Sequence, residues 1–286
     1  MSLRGQALEE FGLPAAPQRI DEFSPPCVGA EAVRVHAPAG RFLLICSDGA
    51  LAMAFEATLF DLLVEARYPA PRPRRARGGS LIARLKRPDG GAAAAACYAW
   101  PPGEELAEVS VPQLLEIGRL LARLHQVGET HPASVPDSFD AMAILPAGPE
   151  RDALAPVLTA GLPALPTGAV HGGLRPARAL FVGDRCSAVL PSGLACSAAL
   201  VLDVAEAAVG WIVGASRPAA VLRALLSGYQ SLRRFVPEEK EALYAALRFA
   251  AARDGARKIA TRRPDPLAAF KAVESVGEAD VRGAAG

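Results

Sequence analysis

The segment HGGLRPARALFVGDRCSAVLPSGLACSAALVLDVAEAAVGW, residues 171–211, passes from loop to hairpin to helix. His171-Gly172-Gly173 follows the apolar pair Ala169–Val170 and reads as a loop leaving a short strand. Ala179–Val182 is apolar, stops at Gly183-Asp184 and returns as Ser187–Leu190, the pattern of a β-hairpin. Asp184 falls at the hairpin tip and is expected to face solvent. Leu202–Val213 then predicts a buried helix, with Asp203 near its start, where a carboxylate meets free backbone N–H groups. Ser192-Gly193 invites a hydrolase reading, but Leu190 stands where a nucleophile elbow needs its first glycine.

Upstream, Ser110 and Gln113 form a capping box with Pro112 in the first turn. Leu114, Ile117, Leu121 and Leu124 make one apolar helical stripe, and Gly128 ends it. The same stripe carries His125, expected as a core histidine. A helix over Ala54–Arg67 is predicted from Phe55, Leu59, Leu62 and Leu63. Before it, Val33–Val35 and Arg41–Cys46 flank a turn at Pro38-Ala39-Gly40 and predict a second hairpin. Leu81–Leu85 reads as a strand. The alanine run Ala92–Trp100 favours helix by propensity. It is short and lies between Gly90-Gly91 and Pro101-Pro102-Gly103, so we read it as a buried strand entering a hinge.

Residues 130–166 predict a loop with one helix near Glu150–Thr159. Downstream, helices are expected at Leu202–Val213, Pro218–Arg233 and Pro237–Arg257, then a short helix and a frayed tail after Pro264. Strands first, helices later and one late hairpin give an α+β, two-lobed protein. The expected divisions are an N-terminal extension (1–24), an N-lobe (25–100), a helical C-lobe (101–264) and a tail (265–286).

The 286 residues are 51% hydrophobic and 21% charged, enough for a large core, and the net charge is +1. That balance argues against nucleic acid and anionic membranes as partners. Arg72, Arg74, Arg75 and Arg77 sit in a Pro/Gly-rich stretch and read as a solvated loop. Five cysteines at irregular spacing show no C-x-x-C pair, which fits free thiols in a reducing cytoplasm. His36 and His131 have no metal-spaced partner. No signal peptide or membrane span is expected.

Residues 171–211 resemble the catalytic segment of type II homoserine kinases, relatives of the aminoglycoside phosphotransferases. Their pattern is H-x-D-L-x-x-D-N-x-L-F, then I-D-F-x-x-A-C, then Y-D-L-A with a Trp eight residues past the Asp. His171, Leu174, Leu180, Phe181, Ala195, Cys196, Asp203, Ala205 and Trp211 match without a gap. LLARLH at 120–125 and the helix running to Pro71 resemble further blocks, as does ALLSGYQSLRR at 224–234. The resemblance implies a two-lobed, protein-kinase-like fold with ATP and Mg2+ chemistry on a small hydroxyl compound.

The departures point the other way. The position of the family's catalytic Asp is Gly173, that of the metal-binding Asn is Arg178, and that of the principal metal-binding Asp is Pro191. Neither glycine nor proline offers a carboxylate, and arginine is a cation, so no Mg2+ is expected to be held. The lysine of the family's N-lobe has no counterpart in Phe42–Cys46. The helix glutamate falls near Thr58, with Glu56 close by. His171 and Asp203 are expected to be structural. The resulting expectation is a catalytically impaired pseudokinase that binds a protein partner or a small molecule. An active phosphotransferase with a rearranged site is one alternative. The other is a metal-independent nucleotide module, with Tyr98, Trp100 and Gly103 as hinge and Arg178, helped by Arg175, as phosphate contact.

Overall fold

The computed structural model describes residues 2–23, 30–106, 108–137 and 139–286. Helix α1 (Leu3–Glu10) precedes strands β1 (Arg19–Glu22), β2 (Glu31–Ala37) and β3 (Gly40–Ser47). Helix α2 (Ala50–Glu65), β4 (Ile82–Lys86) and β5 (Ala92–Ala99) complete the N-lobe. The strands form one antiparallel sheet in the order β1-β2-β3-β5-β4. Both faces are covered. Val33, Val35, Leu44, Cys46 and Cys97 pack towards α1, and Leu43, Ile45, Ala94, Ala96 and Tyr98 towards α2. This explains why LLIC and AAAAACY read as continuous apolar runs rather than alternating ones. Burial in the sheet overrides the helical propensity of the alanines.

The C-lobe starts with α3 (Val111–Gly128), whose capping box is formed by Ser110 and Gln113. It continues with α4 (Ala141–Ile144), α5 (Pro149–Ala160), β6 (Thr167–Val170), β7 (Ala179–Val182), β8 (Arg185–Val189) and β9 (Cys196–Ala199). Helices α6 (Leu200–Ile212), α7 (Pro218–Gln230), α8 (Pro237–Ala260), α9 (Ala268–Val276) and α10 (Glu278–Ala285) follow. β7 and β8 form the expected hairpin, and β6 pairs with β9 across the base of the 171–195 loop.

Two expected divisions shift. The stretch read as an N-terminal extension contributes β1 to the sheet and α1 to its cover, so the lobe begins well before residue 25. The end of the chain is not frayed: α10 packs on α7 and α8, burying Val281 and Ala285. The arginine stretch is tethered rather than free. Arg74 donates to the Phe11 carbonyl, Arg75 pairs with Asp61 and Arg77 with Glu9. Among the described residues the four cysteines are free and buried; Cys27 lies outside them. No described helix is long and apolar enough to cross a membrane.

Helices α3 and α7 cross backbone to backbone at Gly118 and Gly228. A Cβ on Gly118 would lie 2.1 Å from the Leu225 carbonyl oxygen, and one on Gly228 2.1 Å from that of Leu115. Gly118→Ala is therefore expected to lower the unfolding free energy by about 1–3 kcal/mol through overpacking. Urea denaturation of the two proteins checks this; an unchanged midpoint would mean the helices do not cross there.

Candidate functional site

The site is built around the loop that begins at His171. Asp203, in the first turn of α6, aims its buried carboxylate back at this loop. Oδ1 accepts from Gly172 N–H at 2.7 Å and Oδ2 from His171 N–H at 2.9 Å. His125 Nε2 lies 2.9 Å from Oδ2, and its Nδ1 2.8 Å from the Tyr229 hydroxyl. Arg233 donates to that hydroxyl and pairs with Glu239. Burial pushes the Asp203 carboxyl up, but these donors more than offset it and its pKa stays below the usual value. Asp203 thus braces the loop as an anion. His125 joins this brace from the buried side of α3.

His171 is fully buried. Its Nε2 is 2.9 Å from the Leu190 carbonyl oxygen, which can only accept, so this nitrogen carries the proton. Nδ1 has no hydrogen-bond partner. Burial lowers the imidazole pKa, which keeps the ring neutral. Its hydrogen bond ties the loop to the end of the β7–β8 hairpin. Trp211 Nε1 donates to the Leu174 carbonyl oxygen at 2.8 Å and holds the next residues.

Gly173, at the position where the resemblance expects a general base, has φ +149°. That conformation strains any residue bearing a Cβ. Pro191 is buried at the start of the loop joining β8 to β9. Beside it stands a residue that sequence reading placed only near the site. Glu56, on α2 and 3% exposed, reaches across the lobes. Its Oε1 accepts from Ser192 N–H (3.0 Å), Gly193 N–H (2.7 Å) and Ser192 Oγ (3.2 Å). Burial raises the Glu56 pKa; the donors of Gly193 and Ser192 and the charge of Arg178 only partly counter it. The signal was present in the sequence: Glu56 shares a helical face with Met53, Phe60 and Leu63, where a carboxylate is out of place.

Arg178 ends a 3-10 turn and is 6% exposed. Its guanidinium lies 4.5 Å from the centroid of the Phe23 ring, at the end of the sheet's first hairpin arm. Phe23 meets Trp100 edge-on at 5.5 Å, and Arg34 covers the Trp100 ring at 3.9 Å. Arg34, Trp100, Phe23 and Arg178 form one stack from the sheet to the C-lobe. Burial lowers the Arg178 pKa to about 10, against the pull of Glu56.

The hinge has few groups left to offer. Trp100 N–H donates to the Arg41 carbonyl, Pro101 and Pro102 lack N–H groups, and Glu104 exchanges both backbone hydrogen bonds with Phe181. Gly103 packs against Leu180 and Phe181. Tyr98 is fully buried against Phe60, with its hydroxyl unpartnered, and faces the core rather than the hinge.

Carboxylates below the loop are paired with cations. Arg175 holds Asp254 at 2.5 Å, and Lys258 lies 3.3 Å from the same residue. Glu206 lies 3.2 Å from Arg253 and from Arg257, and Arg253 also pairs with Asp137. Among the described residues no group of three His, Cys, Asp or Glu could hold a metal ion. The side chains present do not fit Mg2+, which needs several oxygen ligands at one point. Asp184 is exposed at the hairpin tip.

Glu56 gives a pH signature. Its folded pKa lies above its ordinary 4.5, so the folded state retains a proton that the unfolded chain has released. The stability from the neutral form is complete below pH 4.5 and is lost as pH rises through the folded pKa. Glu56→Gln keeps an acceptor without the charge. Its melting temperature is expected to gain on the parent protein from pH 4.5 to pH 8. A difference that stays flat or falls with pH in calorimetry contradicts the assignment.

Comparison with known proteins agrees with this architecture. The profile of the phosphotransferase enzyme family matches residues 28–249. A homoserine kinase of Rhizobium meliloti is 30% identical over 231 residues, covering 73% of this chain and 69% of that protein. A homoserine kinase of Afipia carboxidovorans is 30% identical over 241 residues, covering 77% and 72%. Among solved structures, an amicoumacin kinase in complex with AMP-PNP and Ca2+ superposes with a TM-score of 0.71. It is 11% identical and the match covers 94% of this chain and 89% of that one, a likeness of fold. With the two-lobed α+β fold and the braced His171 loop, these matches place the chain in the phosphotransferase enzyme family.

Proposed function

We propose that this protein is a catalytically impaired member of its family, a pseudokinase whose cleft no longer positions metal-bound nucleotide. It works instead as a binding or regulatory protein for a small molecule or a protein partner. The observation that carries this reading is Arg178. A guanidinium lies against Phe23 where the resemblance expects a neutral metal ligand. A fixed cation there repels a divalent ion and supplies no oxygen to hold it. Three further facts support the reading. The general-base position is a glycine with φ +149°. The carboxyl group nearest the Pro191 loop, Glu56, commits Oε1 to backbone N–H groups. β3 carries no lysine to grip a phosphate; its cleft-facing side chains are Leu43 and Ile45. Each missing part belongs to a different task in phosphoryl transfer, so no single residue restores the set. Free buried thiols support a reducing cytoplasm as its compartment.

One observation favours a second reading, a metal-free nucleotide site. The hinge-side cavity of about 710 Å3 is lined by Arg34, Arg41, Trp100 and Gly103. Arginine can pair with phosphate without a metal. Against it, Glu104 and Glu105 line the same cavity and its hinge backbone is already bonded.

With ATP, Mg2+ and homoserine, the purified protein is expected to form no product above the uncatalysed background in a coupled assay. ATP is expected to leave the melting temperature unchanged with Mg2+. A shift with ATP alone would select the metal-free reading, and magnesium-dependent turnover at ordinary kinase rates of ~1–100 s⁻¹ would remove both.

Restoring the missing carboxylate should not rescue activity. Gly173→Asp forces a β-carbon onto a left-handed backbone and is expected to cost about 1–3 kcal/mol in urea unfolding. Kinase activity in that variant would mean the loop re-forms around a working base.

A further inference from the structure

We propose that the cavity beneath α2 binds a small organic ammonium ion with an apolar body, and that Glu56 is its anionic anchor. The inference rests on the reading of this cleft as emptied of phosphoryl-transfer chemistry, and it names what the cleft takes instead.

The cavity encloses about 300 Å3 where the two lobes meet. Gly49, which precedes α2, and Ala52, Met53 and Glu56 of one α2 face form its roof. Ile45 of β3 and Ala96 of β5 close one wall, and Phe139 and Leu194 of the C-lobe loops close the other. That size is at the lower end of small-molecule sites, and a largely apolar lining with few polar groups is their usual character.

Charge decides the class of ligand. The charged side chains lining the cavity, Asp48, Glu56 and Asp137, are all acidic. Asp48 already pairs with Arg87 and Asp137 with Arg253. No salt bridge joins Glu56 to another described residue, and the charge of Arg178 only partly offsets its burial. All its hydrogen bonds land on Oε1, and Oε2 takes none of them. A buried carboxylate without a cation is costly, and a ligand that brings one relieves that cost.

Other ligand classes fit less well. An anion meets three carboxylates. A divalent metal finds no group of three ligating side chains among the described residues. A neutral apolar molecule would add nothing to the partial compensation that Gly193, Ser192 and Arg178 give Glu56. A primary amine on a short hydrocarbon or aromatic body satisfies both the walls and the anchor.

Three probes of one shape test this on the full chain: benzylamine, benzyl alcohol and benzoate, by thermal shift and saturation-transfer NMR. Benzylamine is expected to raise the melting temperature and show saturation transfer, and the other two to do neither. Glu56→Gln is expected to weaken benzylamine by roughly tenfold or more. Asp48→Asn should change it by less than about threefold, as expected for a screened rim charge. Ala52→Leu fills the cavity while leaving Glu56 in place and should also abolish binding; it decides the matter if Glu56→Gln does not fold. Equal binding of the alcohol or benzoate, undiminished binding to Ala52→Leu, or no benzylamine binding would overturn the proposal. The outcomes separate the two readings. Amine binding by a protein that also turns over ATP with Mg2+ keeps the site and removes the pseudokinase. No amine binding and no turnover removes only the site.

Discussion

The carboxylate of Asp203 is the contact on which the C-lobe loop depends. It accepts from the backbone of His171 and Gly172 and from the ring of His125. Through Tyr229 and Arg233 the same network reaches Glu239 at the start of α8. An anion buried this deeply is tolerated because three donors converge on it. Remove it and two backbone N–H groups and a histidine lose their acceptor at once. The brace uses none of the positions that have been substituted. The loop of this family fold is therefore held by residues other than Gly173, Arg178 and Pro191.

The cleft between the lobes is bridged by side-chain contacts. A stack of two cations and two aromatic rings, Arg34, Trp100, Phe23 and Arg178, spans it. Each contact gains cation–π or edge-on aromatic attraction in a partly dry environment. Glu56 has become a clamp on the Ser192-Gly193 backbone. Positive charge therefore lies at the inner floor of the cleft, on Arg178, and a carboxyl group, that of Glu56, under α2.

Much of this was legible from the chain. The short apolar strand runs between turn residues and the stripe of α3 predicted their elements, because neighbouring residues supply the pattern. The capping box at Ser110 and Gln113 was readable for the same reason. Asp203 lies in the first turn of α6, but its carboxylate accepts from the backbone of His171 and Gly172 and not from the helix-start N–H groups that its position suggested. β1 and α10 were not legible. Arg19–Glu22 is polar and exposed enough to pass for loop, and it is a strand only because β2 lies beside it. Glu278–Ala285 has almost no apolar stripe, and only docking on α7 and α8 buries Val281 and Ala285.

By itself the sequence determined the order of elements, a property of local composition, and, through its resemblance to the family pattern, the departures at Gly173 and Pro191. Only the tertiary structure decided what surrounds those positions. Glu56 and Ser192 are 136 positions apart, and Phe23 meets Arg178 from the other lobe. No local pattern encodes such meetings. They arise when apolar burial brings the lobes together, and the buried polar groups must then find partners among whatever side chains that packing has placed within reach.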